Sequence, residues 1–176
     1  MSRDKHMHMY ELLADVLEYP GPGIAGKAEA CSRALASVNG KAKDHFDTFS
    51  KYCMTAPISR LEELYTDTFD LQAFCCPYVG FHLFGEDRGR GMFMVRLQEH
   101  YRAGNFQVNG ELPDHISVML RSLSHEERSS ETMDLISYCL IPAVKKMVSL
   151  FKDNANPYQG VVEAALVVLE QERGKS

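Results

Sequence analysis

Met9-Tyr10-Glu11-Leu12-Leu13-Ala14-Asp15-Val16-Leu17 places its apolar residues at positions 9, 12, 13, 16 and 17, the spacing of one face of an α-helix. Tyr19-Pro20-Gly21-Pro22-Gly23 then closes the helix, because proline cannot continue it and glycine permits the turn. The same reading extends outward. An alanine-rich second helix covers Ile24 to Val38 and stops at Asn39-Gly40. A third, from Ala42 to Met54, sets Phe46, Phe49, Tyr52 and Cys53 on one side, and the chain turns at Pro57. Ser59 with Glu62 three residues on has the form of a capping box. It is expected to open a fourth helix carrying Leu61, Leu64, Tyr65, Thr68 and Phe69.

From Asp70 to Gly91 the periodicity breaks, with Gly80, Gly85, Gly89 and Gly91 lying among Phe74, Tyr78, Phe81 and Phe84, so an apolar, flexible loop is expected. Helix resumes near Gly91, with Met94, Leu97 and Tyr101 inward and Arg96, Glu99 and Arg102 outward, and ends at Ala103-Gly104-Asn105. Phe106 to Leu112 reads as a connector. Pro113 suits a first helical turn ahead of Ile116, Met119, Leu120 and Leu123. Ser124-His125-Glu126-Glu127 has the form of another helix start, and Ile136, Leu140, Val144, Met147 and Phe151 run on past Pro142. A proline inside a helix removes a hydrogen bond, which predicts a kink or break between Ser137 and Pro142. The last helix, Pro157 to Glu172, is expected to bury Val162, Ala165, Leu166 and Leu169. No segment alternates with period two, so the fold class is all-α, a single-domain bundle over residues 1–176 with about eight or nine helices.

With 176 residues, 45% of them hydrophobic and 24% charged, the chain is long enough for one core and excludes collagen-like and disordered classes. Nineteen basic against 24 acidic side chains give a net charge of −5, which argues against nucleic acid as a partner. Met1 to Tyr10 lacks the apolar core of about 7–15 residues that a secretory signal needs. The longest apolar stretches, Leu135 to Val144 and Val161 to Leu169, are about half of what a bilayer crossing requires. A cytoplasmic protein without membrane insertion is the expectation. The 5 cysteines are scattered with no CxxC pair, so neither a disulfide framework nor a zinc finger is encoded.

Candidate chemistry meets objections from spacing. Gly21-Pro22-Gly23-Ile24-Ala25-Gly26-Lys27 fits most of a phosphate-cradling P-loop, but Ala28 stands where a magnesium-binding hydroxyl is needed, and an amphipathic helix precedes it rather than a strand. A turn between helices is favoured. His6, His8, Cys75, Cys76 and His82 are the right atoms for zinc or copper in the wrong arrangement, since neighbouring cysteines cannot easily address one ion. Cys75 or Cys76 could meet His82 or His115 in space, yet no nucleophile elbow accompanies either. Arg88, Arg90, Arg96 and Arg102 form a basic strip interrupted by Glu86, Asp87 and Glu99, which reads as a solvated face. Glu111-Leu112-Pro113-Asp114-His115 stands at the mouth of a helix, where free backbone N–H groups can hold an acidic or polar group. The plainer reading is that Asp114 complements the helix end and His115 faces water.

Three runs carry more than spacing. Leu64-Tyr65-Thr66-Asp67-Thr68-Phe69-Asp70 is followed by Pro77-Tyr78-Val79-Gly80-Phe81-His82-Leu83-Phe84-Gly85-Glu86-Asp87-Arg88-Gly89-Arg90-Gly91 and then by Glu111-Leu112-Pro113-Asp114-His115. Together they resemble the NarJ family, the respiratory nitrate reductase assembly chaperones or delta subunits of the TorD-like group. The matching region runs from about Leu61 to Leu123. The resemblance implies an all-helical, cytoplasmic, non-catalytic chaperone for a molybdenum oxidoreductase, holding no cofactor or metal of its own. Such a chaperone binds the N-terminal peptide of the apo catalytic subunit and helps insert the molybdenum cofactor. A monomer or a domain-swapped dimer is the oligomeric form it implies.

Carried over by position, the signature falls on Pro113, Asp114 and His115, with Tyr65, Phe69, His82 and Glu111 as neighbours. Tyr65, Phe69 and Phe84 are expected to wall a groove for a partner helix, and Glu111, Asp114 and His115 to anchor polar or basic groups of the peptide. The run Cys75-Cys76-Pro77-Tyr78-Val79-Gly80 also resembles chaperones of other molybdoenzymes, so a client of the dimethyl sulfoxide reductase type is an alternative. A helical scaffold module for an unrelated partner helix is another.

Overall fold

The computed structural model describes residues 3–70, 75–152 and 155–174. Among these the chain is helical: α1 (Arg3–Val16), α2 (Ile24–Val38), α3 (Gly40–Thr55), α4 (Ile58–Phe69), α5 (Val79–Phe84), α6 (Arg88–Ala103), α7 (Ile116–His125), α8 (Ser130–Asp134), a π-helical segment (Leu135–Leu140), α9 (Ile141–Leu150) and α10 (Tyr158–Arg173). Because α8, the π segment and α9 follow without a gap, they form one rod, as the expected all-α bundle requires. Extended pairing among the described residues is confined to a single antiparallel bridge between Tyr78 and His115.

Apolar stripes explain the packing. Met9, Leu13, Val16 and Leu17 are buried where α1 meets α2 and α7, and α3 lies between α2 and α10. Phe46 and Phe49 from α3 and Tyr65 and Phe69 from α4 converge on Tyr158 of α10, with successive ring centroids 4.9–5.8 Å apart. Edge-to-face and tilted contacts of this kind add to the burial of the rings themselves. Helices α3 and α10 approach over Gly160, where a Cβ atom would overlap the carbonyl oxygen of His45. α5 bridges α6 and α9.

Several helix boundaries correct the reading of the sequence. Ser59 is not a cap: α4 starts at Ile58 behind Pro57, and Ser59 lies inside the first turn. The expected loop from Asp70 to Gly91 contains α5 and the start of α6, whose N-cap Asp87 accepts from the N–H of Gly89; Phe74 lies outside the described residues. Pro113 precedes the helix rather than opening it, because the cap is the His115 side chain, which accepts from the N–H of Ser117. Helix α7 also runs through Ser124 to His125, and it is Ser129 that caps the next helix. Near Pro142 the expected break takes a milder form. The π turn widens the helix just ahead of the proline, which then sits in the first turn of α9 where its missing N–H is tolerated. Leu166 is half-buried, whereas Val162, Ala165 and Leu169 are buried as expected.

Candidate functional site

A cleft of about 810 Å³ opens where the end of α1, the end of α4, the Pro77-Tyr78 segment, the connector Phe106–Glu111 and the start of α7 meet. Its walls are aromatic, with Tyr19, Tyr65, Phe69, Tyr78 and Phe106, and its charge is acidic, with Asp15, Glu18, Asp70 and Glu111 against Arg121. Of the residues expected to form a site, Tyr65, Phe69, Glu111 and His115 meet here.

Each is held from behind. The Tyr65 hydroxyl donates to the carbonyl of Leu17 (3.3 Å), and Tyr19 meets its ring edge-on at 5.4 Å. Burial first, and then the charges of Glu111 and Asp70 among others, push the Tyr65 hydroxyl well above its ordinary pKa, so it stays protonated. The Tyr78 hydroxyl donates to Oε1 of Glu111 (3.1 Å) and the N–H of Leu112 donates to the same oxygen (3.0 Å), which orients that carboxylate. His115, 3% exposed, has its Nδ1 fixed as an acceptor by the N–H of Ser117 (3.2 Å), with Oγ of Ser117 at 2.7 Å. The proton of the neutral ring therefore sits on Nε2. Burial holds the imidazole below its ordinary pKa, so His115 is neutral at physiological pH and does not face water.

Pro113 and Asp114 lie under the cleft instead of in it. Asp114 is 0% exposed, and Nε and Nη2 of Arg90 donate to its two oxygens at 2.8 and 3.3 Å. Its carboxylate is thereby spent on the frame, where the sequence reading has it anchoring a peptide group. Gly80 makes room for this pair, since a Cβ there would stand 2.6 Å from Oδ2 of Asp114. Arg90 also lies over the Tyr78 ring, 5.0 Å from its centroid. Backbone bonds close the unit: Val79 N–H donates to Asp114 (2.8 Å), Ile116 N–H to Pro77 (2.9 Å), and the Tyr101 hydroxyl to Pro113 (2.9 Å). Sequence reasoning missed Arg90, Gly80 and Tyr78 as builders of the site: Arg90 reads as part of a solvated basic strip, and Gly80 and Tyr78 as part of a flexible loop.

His82 and Phe84 lie away from the cleft. The Nε2–H of His82 donates to the carbonyl of Cys76 (2.6 Å), and Nζ of Lys146 donates to the carbonyl of His82 (2.7 Å), tying α5 to α9. Phe84 belongs to a second, more open groove of about 900 Å³ between α6 and the π segment, with Phe93, Leu135 and Tyr138. Burial pushes the Cys75 thiol up to about 12 and raises Cys76 as well, which favours the protonated, less reactive form of both. Gly21 to Gly23 form the turn into α2, with Gly23 in the left-handed region (φ 91°), and Ile24 to Lys27 are the first turn of that helix.

The family model of the nitrate reductase delta subunit matches residues 33–152, a span that includes the α4, Pro77-Tyr78, connector and α7 parts of this cleft. The chain belongs to the nitrate reductase delta subunit family. Another member, a Bacillus subtilis protein named as a nitrate reductase molybdenum cofactor assembly chaperone, NarJ, is 27% identical over 134 residues, covering 76% of this chain and 70% of that one. The nitrate reductase-like protein NarX of Mycobacterium tuberculosis is 30% identical over 114 residues, 64% of this chain. Those residues make up 17% of NarX, so the chain spans only a small part of that relative. In fold, this chain is similar to an Archaeoglobus fulgidus protein described as a candidate redox enzyme maturation protein, with a TM-score of 0.65 and 19% identity over 97% of this chain and 95% of that one. No described helix is long and apolar enough to cross a membrane.

Proposed function

We propose that this delta subunit family member is a non-catalytic assembly chaperone of the cytoplasm. In this reading it binds the N-terminal peptide of the apo catalytic subunit of a molybdenum-dependent nitrate reductase and supports insertion of the client's cofactor. The observation that carries the reading is the cleft: aromatic walls, fixed carboxylates and a neutral buried imidazole, most of them within the span that the family model matches. Aromatic side chains supply contact area at low entropic cost, and the acidic lining favours a basic partner segment over an acidic one. Pro113 and Asp114 serve the site by holding its floor, whereas His82 ties α5 to α9 and Phe84 lines the second groove. All 176 residues are treated as one functional domain in this proposal.

Calorimetric titration with a synthetic peptide of about 15–30 residues, copied from the N-terminus of the nitrate reductase catalytic subunit of the same genome, tests it. Wild type is expected to bind at micromolar strength or better, about −8 kcal/mol. Tyr19→Ser with Asn109→Lys, two changes at exposed points of the cleft, should weaken binding at least tenfold. Absence of binding to a folded protein would overturn the chaperone reading, and tighter binding to the corresponding peptide of a dimethyl sulfoxide reductase type enzyme would reassign the client.

A further inference from the structure

We propose that the outer face of α6 docks a second copy of this chain, the two α6 helices lying antiparallel about a twofold axis with Met92 against the partner's Val95 and Arg88 against the partner's Glu99. Helix α6 is 16 residues long, yet its buried side chains are those of Leu97 and Tyr101. On the outer face Arg88, Gly91, Met92, Val95, Arg96 and Glu99 are all exposed, Met92 by 57% and Val95 by 55%. These six residues line a shallow hollow of about 590 Å³. Positions 88, 92, 95 and 99, with 91 and 96 beside them, have the spacing of a seam by which one helix packs on another. Its charges are unspent, since Arg88, Arg96 and Glu99 make no ion pair among the described residues.

Charge complementarity selects the occupant. The seam has a basic end at Arg88, an acidic end at Glu99 and an apolar middle, so a partner helix of uniform charge would be attracted at one end and repelled at the other. An antiparallel copy matches all three parts twice over, as a twofold interface requires. The register follows from the same residues. Sliding one copy by a turn sets Arg88 against Arg96 in one direction and Met92 against Glu99 in the other, so a single register matches charge with charge and apolar with apolar. In that register Arg96 lies opposite the partner's Gly91. No atom stands within 4 Å of where a Cβ of Gly91 would be, which leaves room for the arginine stem to lie across it. About three turns of helix bury less than the roughly 1,200 Å² at which stable pairs begin, so the dimer is reversible and of micromolar strength. None of the six residues lines the aromatic cleft. No element leaves its own bundle, which sets this pair apart from a domain-swapped dimer.

Sedimentation equilibrium of the full chain tests the proposal. Wild type should show a monomer–dimer equilibrium with a dissociation constant of about 10–100 μM, weakened by raised salt. Arg88→Glu and Glu99→Arg each set like charges against one another at both ends of the seam, and each alone should weaken the dimer about tenfold or more. Both changes put charge where the helix dipole favours it, acidic at the start of α6 and basic near its end, so loss of the dimer would not come from loss of the helix. Mixed in equal amounts, the two variants again set unlike charges at both ends and should pair with one another to within about threefold of the wild-type strength. A wild type that stays monomeric up to about 500 μM would overturn the proposal, that concentration lying well above the range expected of a specific pair. So would a dimer indifferent to both single reversals, which would be built on another face or by exchange of elements, and so would failure of the mixed variants to pair.

Discussion

Helices α3 and α10 meet across a bare glycine and a cluster of rings, whereas α5 and α6 are tied to the molecule through charges and hydrogen bonds. In the first region Gly160 admits the backbone of His45, and Phe46, Phe49 and Tyr158 fill what remains. In the second, Arg90 holds Asp114, His82 holds Cys76, and Lys146 holds the carbonyl of His82, while Met92, Val95 and Tyr138 stand exposed beside the groove. The contrast separates two kinds of sensitivity. The close-packed region should resist loss of a charge and fail on added volume; the polar region should tolerate volume at its surface and fail when one partner of a pair is removed.

The largest expected effect comes from volume in the close-packed region. Gly160→Val drives a branched side chain into the His45 carbonyl and should lower stability by about 4 kcal/mol in urea denaturation, or prevent folding. A loss below about 1 kcal/mol would mean that α3 and α10 can separate freely, and would erase the contrast. Next in size, Asp114→Ala leaves the Arg90 guanidinium without its buried partner and should cost about 3 kcal/mol. Asp114→Asn, which keeps a hydrogen-bond acceptor, should cost less, and equal losses would show that shape and not charge holds the α5–α6 unit.

A smaller effect should appear with pH. Burial holds His115 below its ordinary value of 6.5, so the folded state prefers the neutral ring. The stability this preference gives is complete above 6.5 and is lost as pH falls from 6.5 toward the folded-state value. Glu111, Glu18 and Asp114 oppose the shift, and His82 is depressed in the same direction, so both histidines contribute to the slope. His115→Asn keeps a good N-cap residue and should flatten the fall in urea midpoint below pH 6.5; an unchanged slope would assign the whole effect to His82.

Long amphipathic helices were legible from apolar spacing because burial of a stripe is itself the reason they form. Ile24–Val38 is the plainest case, since its limits coincide in sequence and structure. Helix α5 was illegible: six residues are too few for periodicity to show, and Gly80 looks like a loop residue until Asp114 is placed against it. The caps at His115 and Ser129 were missed for a related reason, as Pro113 and Ser124 offered equally good local chemistry, and Asp87 was missed because the glycines up to Gly91 made the start of α6 look like loop. Tyr65, Phe69, Glu111 and His115 were readable as a group only through family resemblance. The burial of Asp114 depends on Arg90, 24 residues away, and no local pattern announces that distance.

The bridge between Tyr78 and His115 sets the beginning and end of a chain excursion side by side. The backbone leaves at Pro77–Val79 and returns at Asp114–Ile116 within two hydrogen bonds of where it left. An excursion pinned at its neck can lengthen, shorten or exchange its outer turns without moving the helices that receive it. The bend at Gly85-Glu86 is therefore where this architecture should accept grafted sequence, whereas Gln107–Gly110, on the same excursion, walls the cleft and has no such freedom.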